Sequence, residues 1–237
     1  MSALMLQLAG PLQAWGSAAR FARRTTENAP TKSGVIGLLA AAQGRDRTQD
    51  LSDLTALDFG VRIDQPGTRV RDYQTAHHLD TDRSMPVSER FYLADAVFVA
   101  AVAGDDALID RLHEAVRAPV YLPYLGRRSC PPARPVDLGL RSGTGVHEAL
   151  ESEEWRASTW YQRRLRREAA VSLPLLVDAV AGDTRADSRR DTPLSFDPLH
   201  RRYALRGVRT HTVEVANPWA RGPAAPEHDP TSLLGGD

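Results

Sequence analysis

The spacing of apolar and polar residues predicts a strand and a helix in the first 45 positions. An apolar run over residues 4–9 is typical of a short strand. Residues 31–43 form the clearest helix, which we expect Thr31 or a neighbour to cap and Gly44 to end. Its apolar stripe recurs at helical spacing in Val35, Leu38, Leu39 and Ala42. A neighbouring stripe of small residues, which includes Gly34, predicts close approach to a sheet or a ligand.

The next segments continue the alternation of strands and helices up to Pro119. We predict strands over residues 57–64, 68–75 and 90–102, with a loop over residues 76–89. Asp105 is expected to open a helix that Pro119 closes. The order strand, helix, two or three strands, helix, strand is that of a βαββαβ unit. We therefore predict an α+β protein with a ferredoxin-like, RRM-like N-terminal domain, a scaffold shared by RNA-recognition modules and many unrelated proteins.

The pattern is weaker after residue 142. Residues 147–168 are compatible with a helix, and residues 172–180 and 203–215 with strands that could build a second, smaller sheet. Residues 216–237 are rich in Pro, Gly and polar groups, which predicts a disordered tail. We expect a domain over 1–142, a small β-rich region with a thumb or insertion over 143–215, and a tail over 216–237.

Composition narrows the class of protein. The 237 residues are 42% hydrophobic and 25% charged, which is enough for a sizeable core. The sequence contains no apolar run long enough to cross a membrane, and residues 1–10 resemble a first strand more than a signal peptide. Cys130 is the only cysteine, so neither an internal disulfide nor a zinc site with two thiolates can form. These features favour a cytoplasmic protein that needs no cofactor.

Charge is balanced overall but uneven along the chain. The formal net charge is zero, while arginines concentrate in residues 1–47, 127–141 and 200–221, and acids in residues 46–58 and 80–110. Separate basic and acidic faces would let the protein bind a polyanion on one and a protein on the other. An even mixture of charges after folding remains the alternative. The arginine run at 163–167 is typical of a solvated face, with phosphate contact as the less common interpretation.

The segment 121–132 is the most informative stretch. Its prolines restrict the backbone, and Gly126 can adopt conformations closed to other residues. Arg127 and Arg128 follow directly, and paired guanidinium donors suit phosphates and base edges. The segment therefore predicts either a nucleic-acid contact or an ordinary surface loop with two solvated arginines.

Two further features point to nucleic acid. Thr31, Lys32 and Ser33 at a helix start fail the P-loop pattern but would suit a single phosphate; the alternative is an ordinary helix cap. Trp15, if exposed in the turn after the first strand, could stack on a base, although tryptophan is more often a core residue.

A metal-free ribonuclease site is the catalytic alternative. His77 or His78 could act as acid and base, with Tyr73 nearby and Lys32 stabilising charge. Adjacent histidines in a strand point to opposite faces, so only one could serve. A polar loop is the simpler interpretation.

Five segments occur in an order that is typical of one known family: 9–16, 30–39, 71–75, 90–96 and 124–132. They read AGPLQAWG, PTKSGVIGLL, RDYQT, RFYLADA and YLGRRSCPP. Together they resemble the CasD family of subunits in the type I-E CRISPR surveillance complex, Cascade, within the RAMP superfamily. The resemblance covers residues 4–140, continues faintly around 196–208, and is poor over 142–190.

The resemblance implies a non-catalytic subunit that binds the 5′ handle of the CRISPR RNA (crRNA) and caps the complex used in antiviral defence. It also implies contacts with the Cascade large subunit, the backbone subunits and target DNA near the PAM-proximal end, and a protruding β-hairpin, or thumb. The alternative is a metal-independent endoribonuclease that processes CRISPR repeat RNA. The candidate RNA-binding residues are Gln13, Trp15, Gly16, Arg20, Arg23, Arg24, Thr31, Lys32, Ser33, Arg127, Arg128 and Ser129.

Overall fold

The computed structural model describes residues 1–16 and 23–221, which form an α+β fold built on two sheets. The strands are β1 (Ser2–Ala9), β2 (Leu12–Gln13), β3 (Arg23–Arg24), β4 (Asp58–Gln65), β5 (Thr68–Gln74), β6 (Ser88–Ala94), β7 (Val97–Gly104), β8 (Asp137–Ser142), β9 (Ala170–Asp178), β10 (Asp187–Ser195) and β11 (Arg202–Ala216). The helices are α1 (Lys32–Ala42), α2 (Ser52–Thr55), α3 (Asp106–Arg117), α4 (Val146–Ser152) and α5 (Thr159–Arg164). The larger sheet has the order β10-β11-β9-β4-β7-β1-β8, and its neighbouring strands are antiparallel.

Strand β1 is buried along its whole length because the larger sheet is covered on both faces. Leu4, Leu6 and Leu8 enter the main core, which also contains apolar side chains of α1 and α3. Ala3 and Met5 point the other way, into a second core against α4. Alternate side chains of β1 therefore pack into the cores on opposite faces of the sheet. A strand with only one buried face would instead alternate apolar and polar residues, which explains why β1 is apolar throughout.

The predicted helix boundaries at α1 and α3 are confirmed by their caps. The Thr31 hydroxyl accepts a hydrogen bond from the Gly34 N–H at 3.2 Å. The Asp105 carboxylate accepts one from the Leu108 N–H at 3.2 Å. Gly44 follows α1 with φ +76°, a left-handed conformation that favours glycine.

The single strand predicted over residues 90–102 is wrong. Asp95 has φ +56° and divides the segment into β6 and β7, which belong to different sheets. Strand β7 lies in the larger sheet, whereas β6 pairs with β5 to form a hairpin in the smaller one. The intervening residues 75–87 are almost entirely exposed.

The second, smaller sheet predicted from the C-terminal strands is wrong. These strands instead extend the larger sheet. Strand β9 pairs with β4 across Gly60 to Arg62, and β11 pairs with β9 along nine residues. Gly60 is required at this junction, since a Cβ there would lie 2.5 Å from the Val146 Cγ1.

The helix predicted over residues 147–168 is two short helices, α4 and α5, separated by residues 153–158. The break coincides with Arg62, which is fully buried and donates hydrogen bonds to the main-chain carbonyls of Leu150, in α4, and of Glu153 and Glu154, just after it. Because these carbonyls bond the guanidinium group, they do not accept the main-chain hydrogen bonds that would continue the helix, and Glu153 is extended.

No described helix has the length and apolar character needed to span a membrane. The tail predicted over residues 216–237 falls mostly outside the described residues. The prediction of disorder is wrong for its described part, residues 216–221: Ala216 ends β11, the Asn217 N–H donates to the Ala169 carbonyl at 2.9 Å, and the Arg221 N–H donates to the Arg166 carbonyl at 2.8 Å.

Candidate nucleic-acid interface

A groove of about 1360 Å³ lies between α1, the segment 121–131 and the segment 196–203. Its walls come from parts of the chain that are far apart, since α1 follows β1 whereas the segment 196–203 runs into β11. Six arginines line it against a single acid, Asp46: Arg24, Arg45, Arg47, Arg127, Arg128 and Arg201. Aromatic rings line it as well: Trp15, Tyr121, Tyr124, Phe196 and Tyr203. Guanidinium groups and aromatic faces together are the set that binds single-stranded nucleic acid.

The segment 121–131 forms a braced turn, as its prolines and glycine predicted. The Leu125 N–H donates to the Cys130 carbonyl at 2.7 Å, and the Cys130 N–H donates to the Arg127 carbonyl at 2.9 Å. Gly126 has φ +81°, and a Cβ there would lie 1.8 Å from the Ala14 carbonyl oxygen. Burial raises the pKa of the Cys130 thiol, so this cysteine is packed and not poised to react.

The two arginines of this turn have different surroundings. The Arg127 guanidinium lies over the Tyr92 ring at 4.6 Å, and its Nη2 donates to the Arg24 carbonyl at 2.9 Å. Its Nη1 is buried and has no hydrogen-bond partner among the described residues. Arg128 is exposed along the groove. Arg127 is thus partly architectural with one donor unused, whereas Arg128 is fully available.

Gln13 and Trp15 correct the expectation of an exposed stacking residue. Gln13 is completely buried, and its Nε2 donates to the carbonyls of Leu8 at 2.9 Å and Ala96 at 2.8 Å. The Trp15 indole N–H donates to the Gln13 Oε1 at 3.0 Å, and the ring is 1% exposed. Gly34 permits this packing, since a Cβ there would lie 2.7 Å from the ring. Trp15 therefore lies beneath the floor of the groove and is too buried to stack on a base.

The phosphate site predicted at the start of α1 is already occupied by the protein itself. The Lys32 main-chain N–H donates to the Asp191 carboxylate at 3.0 Å, and the Lys32 Nζ pairs with Asp178 at 2.9 Å. Lys32 is 6% exposed. Thr31 and Ser33 are buried and hydrogen-bonded to each other at 3.3 Å, although both border the groove. A carboxylate thus satisfies the helix start that the sequence assigned to a phosphate.

The same two carboxylates fix the far wall of the groove. The Arg206 guanidinium pairs with Asp191 at 2.6 Å and with Asp178 at 2.6 Å. Burial would lower the pKa of Arg206, but these two carboxylates raise it above its ordinary value. This cluster joins β9, β10 and β11 to α1, and so positions Phe196 and Tyr203 opposite the helix.

The remaining predicted residues are distributed around the groove. Gly16 and Arg24 line it, and Arg23 lies beside it with its guanidinium 5.4 Å from the Phe91 ring. Ser129 is exposed next to Cys130, with its hydroxyl 3.9 Å from the sulfur. Arg20 lies outside the described residues.

Sequence reasoning missed part of the groove. Arg47 and Arg201 are exposed and, like Arg24 and Arg128, have no ion pair within the described part of the chain. Arg45 instead pairs with Asp53 at 2.5 Å. The available signal was the basic bias of residues 1–47 and 200–221, which identified the segments but not which side chains converge.

The residues of the ribonuclease alternative are not brought together. Lys32 is committed to Asp178, whereas His77 lies in the exposed loop of the β5–β6 hairpin with its Nδ1 3.2 Å from the Asp82 carboxylate. Within residues 1–16 and 23–221, no cluster of His, Cys, Asp or Glu suits a metal ion.

Comparison with known proteins gives consistent matches. The model of a family described as "CRISPR-associated protein (Cas_Cas5)" matches residues 3–209. The chain is 39% identical over 173 residues to "CRISPR system Cascade subunit CasD" of Escherichia coli (strain K12), covering 65% of this chain and 77% of that protein. A chain of a solved "CRISPR RNA-guided surveillance complex" superposes with a TM-score of 0.74 at 35% identity, covering 94% of each chain. A "Crystal structure of Cas protein" gives a TM-score of 0.67 at 34% identity, covering 92% of this chain and 97% of that one.

Proposed function

Because the chain belongs to the Cas5 family of CRISPR-associated proteins, we propose that it is a non-catalytic Cascade subunit whose arginine-lined groove holds the 5′ handle of the crRNA. The observation that carries this proposal is the composition of the groove wall. Four of its arginines are exposed without an ion pair in the described part of the chain, next to aromatic rings on a rigid support. A single-stranded handle offers phosphates to the arginines and unstacked bases to the rings.

The fold and the exposed hairpin support the same assignment. Strands in the order β4-β7-β1-β8, with α1 after β1 and α3 after β7, support a ferredoxin-like domain over residues 1–142. We assign the β5–β6 hairpin, in place of the region 143–215 where it was expected from the sequence, as the thumb that bears on the guide–target duplex near the PAM-proximal end. In the cytoplasm, the partners of the protein would be the Cascade large subunit and the backbone subunits. The target sequence would be read by base pairing between guide RNA and DNA.

RNA binding by the groove is tested with the variant Arg128→Ala/Arg201→Ala. Affinity for a single-stranded handle RNA is measured by fluorescence anisotropy at several salt concentrations. Since each phosphate contact on a single strand contributes about 0.7 to the slope of log K against log salt, the double variant should lower that slope by about 1.4.

The matched control removes two exposed arginines, Arg111 and Arg185, which lie outside the groove and, like the pair tested, have no ion pair in the described part of the chain. This control should keep the wild-type slope. Equal losses in both double variants would mean that the groove has no special role and that the RNA is attracted only by diffuse charge.

The absence of catalysis is tested with CRISPR repeat RNA in EDTA. We expect no cleavage, because Lys32 is held by Asp178 and His77 lies on a separate exposed loop. Efficient cleavage that is lost in His77→Ala or His78→Ala would instead establish the endoribonuclease.

A further inference from the structure

A second basic surface lies at the C-terminal end of β11, and we call it the arginine patch. It carries five arginines from two chain segments, residues 159–168 and 217–221, which contain only one acid, Glu168. The patch arginines are exposed: Arg163, Arg164, Arg166, Arg167 and Arg221.

The patch rests on an ordered base. The Asn217 Nδ2 donates to the carbonyls of Gln162 at 3.3 Å and Leu165 at 2.9 Å, and the Arg221 N–H donates to the Arg166 carbonyl at 2.8 Å. These bonds bring Arg221 beside the run that follows α5. An apolar cluster lies beneath: Trp155, Ala157, Val171, Leu173, Val213 and Val215, with Tyr161 and Leu165 packed against it.

The charge of the patch is not neutralised by the described residues. None of its five arginines has an ion pair in residues 1–16 and 23–221. Arg163 lies over the Trp219 ring at 4.0 Å, and Trp160 is 54% exposed. Four of the arginines fall within five consecutive positions, 163–167, and the bond from the Arg221 N–H to the Arg166 carbonyl brings the fifth beside them. Like charges this dense repel each other, so an external polyanion would relieve the repulsion.

The patch is distinct from the groove. Strand β11 connects the two surfaces, with Tyr203 on the groove wall and Val215 beneath the patch. At about 3.3 Å per residue, these positions are roughly 40 Å apart along the strand. A short RNA segment seated in the groove therefore leaves the patch free for a different ligand.

We propose that the arginine patch binds the sugar–phosphate backbone of double-stranded DNA without reading base sequence. A duplex carries about one negative charge per 1.7 Å of its axis, against about one per 3.4 Å for each strand alone, so it offers a cluster of cations more phosphates within reach. The patch offers five exposed cations that have no ion pair within the described residues, and contacts to phosphate oxygens carry no base-sequence information.

The test compares the full chain with the variant Arg164→Ala/Arg166→Ala/Arg167→Ala, which keeps the Arg163–Trp219 contact. Binding to a duplex of mixed sequence is measured by anisotropy between 50 and 200 mM salt. Each phosphate contact on a duplex contributes about 0.9 to the slope of log K against log salt, so losing three contacts should lower the slope by about 2.7. The ratio of wild-type to variant affinity should therefore fall roughly 40-fold between 50 and 200 mM salt. The charge-preserving triple lysine variant should retain most of the slope.

The matched control is the triple variant Arg111→Ala/Arg185→Ala/Arg190→Ala, which removes three exposed arginines elsewhere and should leave the slope unchanged. The groove variant Arg128→Ala/Arg201→Ala should also leave duplex binding intact, which separates this proposal from the proposed RNA site. An unchanged slope in the patch variant would overturn the proposal. A loss confined to single-stranded RNA, or to assembly with other proteins, would overturn it as well.

Discussion

The buried Arg62 guanidinium offers the sharpest test of how this fold is held together. All five of its N–H donors are used: two bond the Asp64 carboxylate, at 2.7 and 3.0 Å, and three bond carbonyls of Leu150, Glu153 and Glu154, at 2.6 to 2.7 Å. We predict that Arg62→Met, which roughly preserves the length of the side chain, strongly destabilises the protein and frees the turn between α4 and α5.

The magnitude follows from what the substitution leaves behind. Removing one partner of a buried ion pair costs about 3–5 kcal/mol, because Asp64 is then buried without its countercharge. Each stranded carbonyl adds about 1–3 kcal/mol unless water reaches it. Since water will reach some of them, we expect a loss of at least about 4 kcal/mol from the free energy of unfolding at neutral pH.

Urea denaturation at 25 °C measures this loss, and its pH dependence tests the cause. Burial already raises the pKa of the Asp64 carboxyl above 3.8, and loss of Arg62 raises it further. A carboxyl with a raised pKa in the folded state is less destabilising when protonated, so the deficit of the variant should shrink as pH falls toward 3.8.

The double variant Arg62→Met/Asp64→Leu removes both charges and should recover part of the stability, although the carbonyls remain unsatisfied. A loss below about 1 kcal/mol in the single variant would refute the reasoning, as would a deficit that does not change with pH.

Three further substitutions test other parts of the structure. Gly126→Ala should cost about 2 kcal/mol or more and weaken RNA binding, because its Cβ would meet the Ala14 carbonyl; wild-type values in thermal unfolding and anisotropy would contradict this. Asp191→Asn should cost about 3 kcal/mol in urea denaturation by leaving Arg206 short of a countercharge, and a cost below 1 kcal/mol would argue that water compensates. Asp105→Ala should cost about 1 kcal/mol through its lost helix cap while RNA affinity is unchanged, and Asp105→Asn should retain the stability.

Helix caps and the turn around Gly126 could be predicted from the sequence, because residues a few positions apart determine them. Thr31 and Asp105 cap helices through hydrogen bonds to residues three positions away, and such signals are visible in a short window. The stiff turn around Gly126 was predictable for the same reason, because its prolines and glycine restrict the backbone wherever they occur.

Features that depend on distant residues could not be predicted in this way. The α4–α5 break depends on Arg62, about 90 positions earlier in the chain, and the α1 start depends on Asp191. The position of Trp15 in a turn left a surface role and a core role both open, and it is Gly34, 19 positions later, that lets the ring enter the core. The groove likewise combines arginines whose proximity arises only after the sheet has formed.

The carboxylate at the start of α1 also has a consequence for the timing of biosynthesis. Lys32 and Asp191, which meet there, are separated by 159 positions in the chain. At about 5–20 residues per second, the ribosome needs roughly 8–30 s to make that interval. During this time the helix start and Lys32 lack the carboxylates that satisfy them in the finished fold. We therefore expect the groove to be completed after translation of β10, so that newly made protein becomes competent for RNA only near the end of its synthesis.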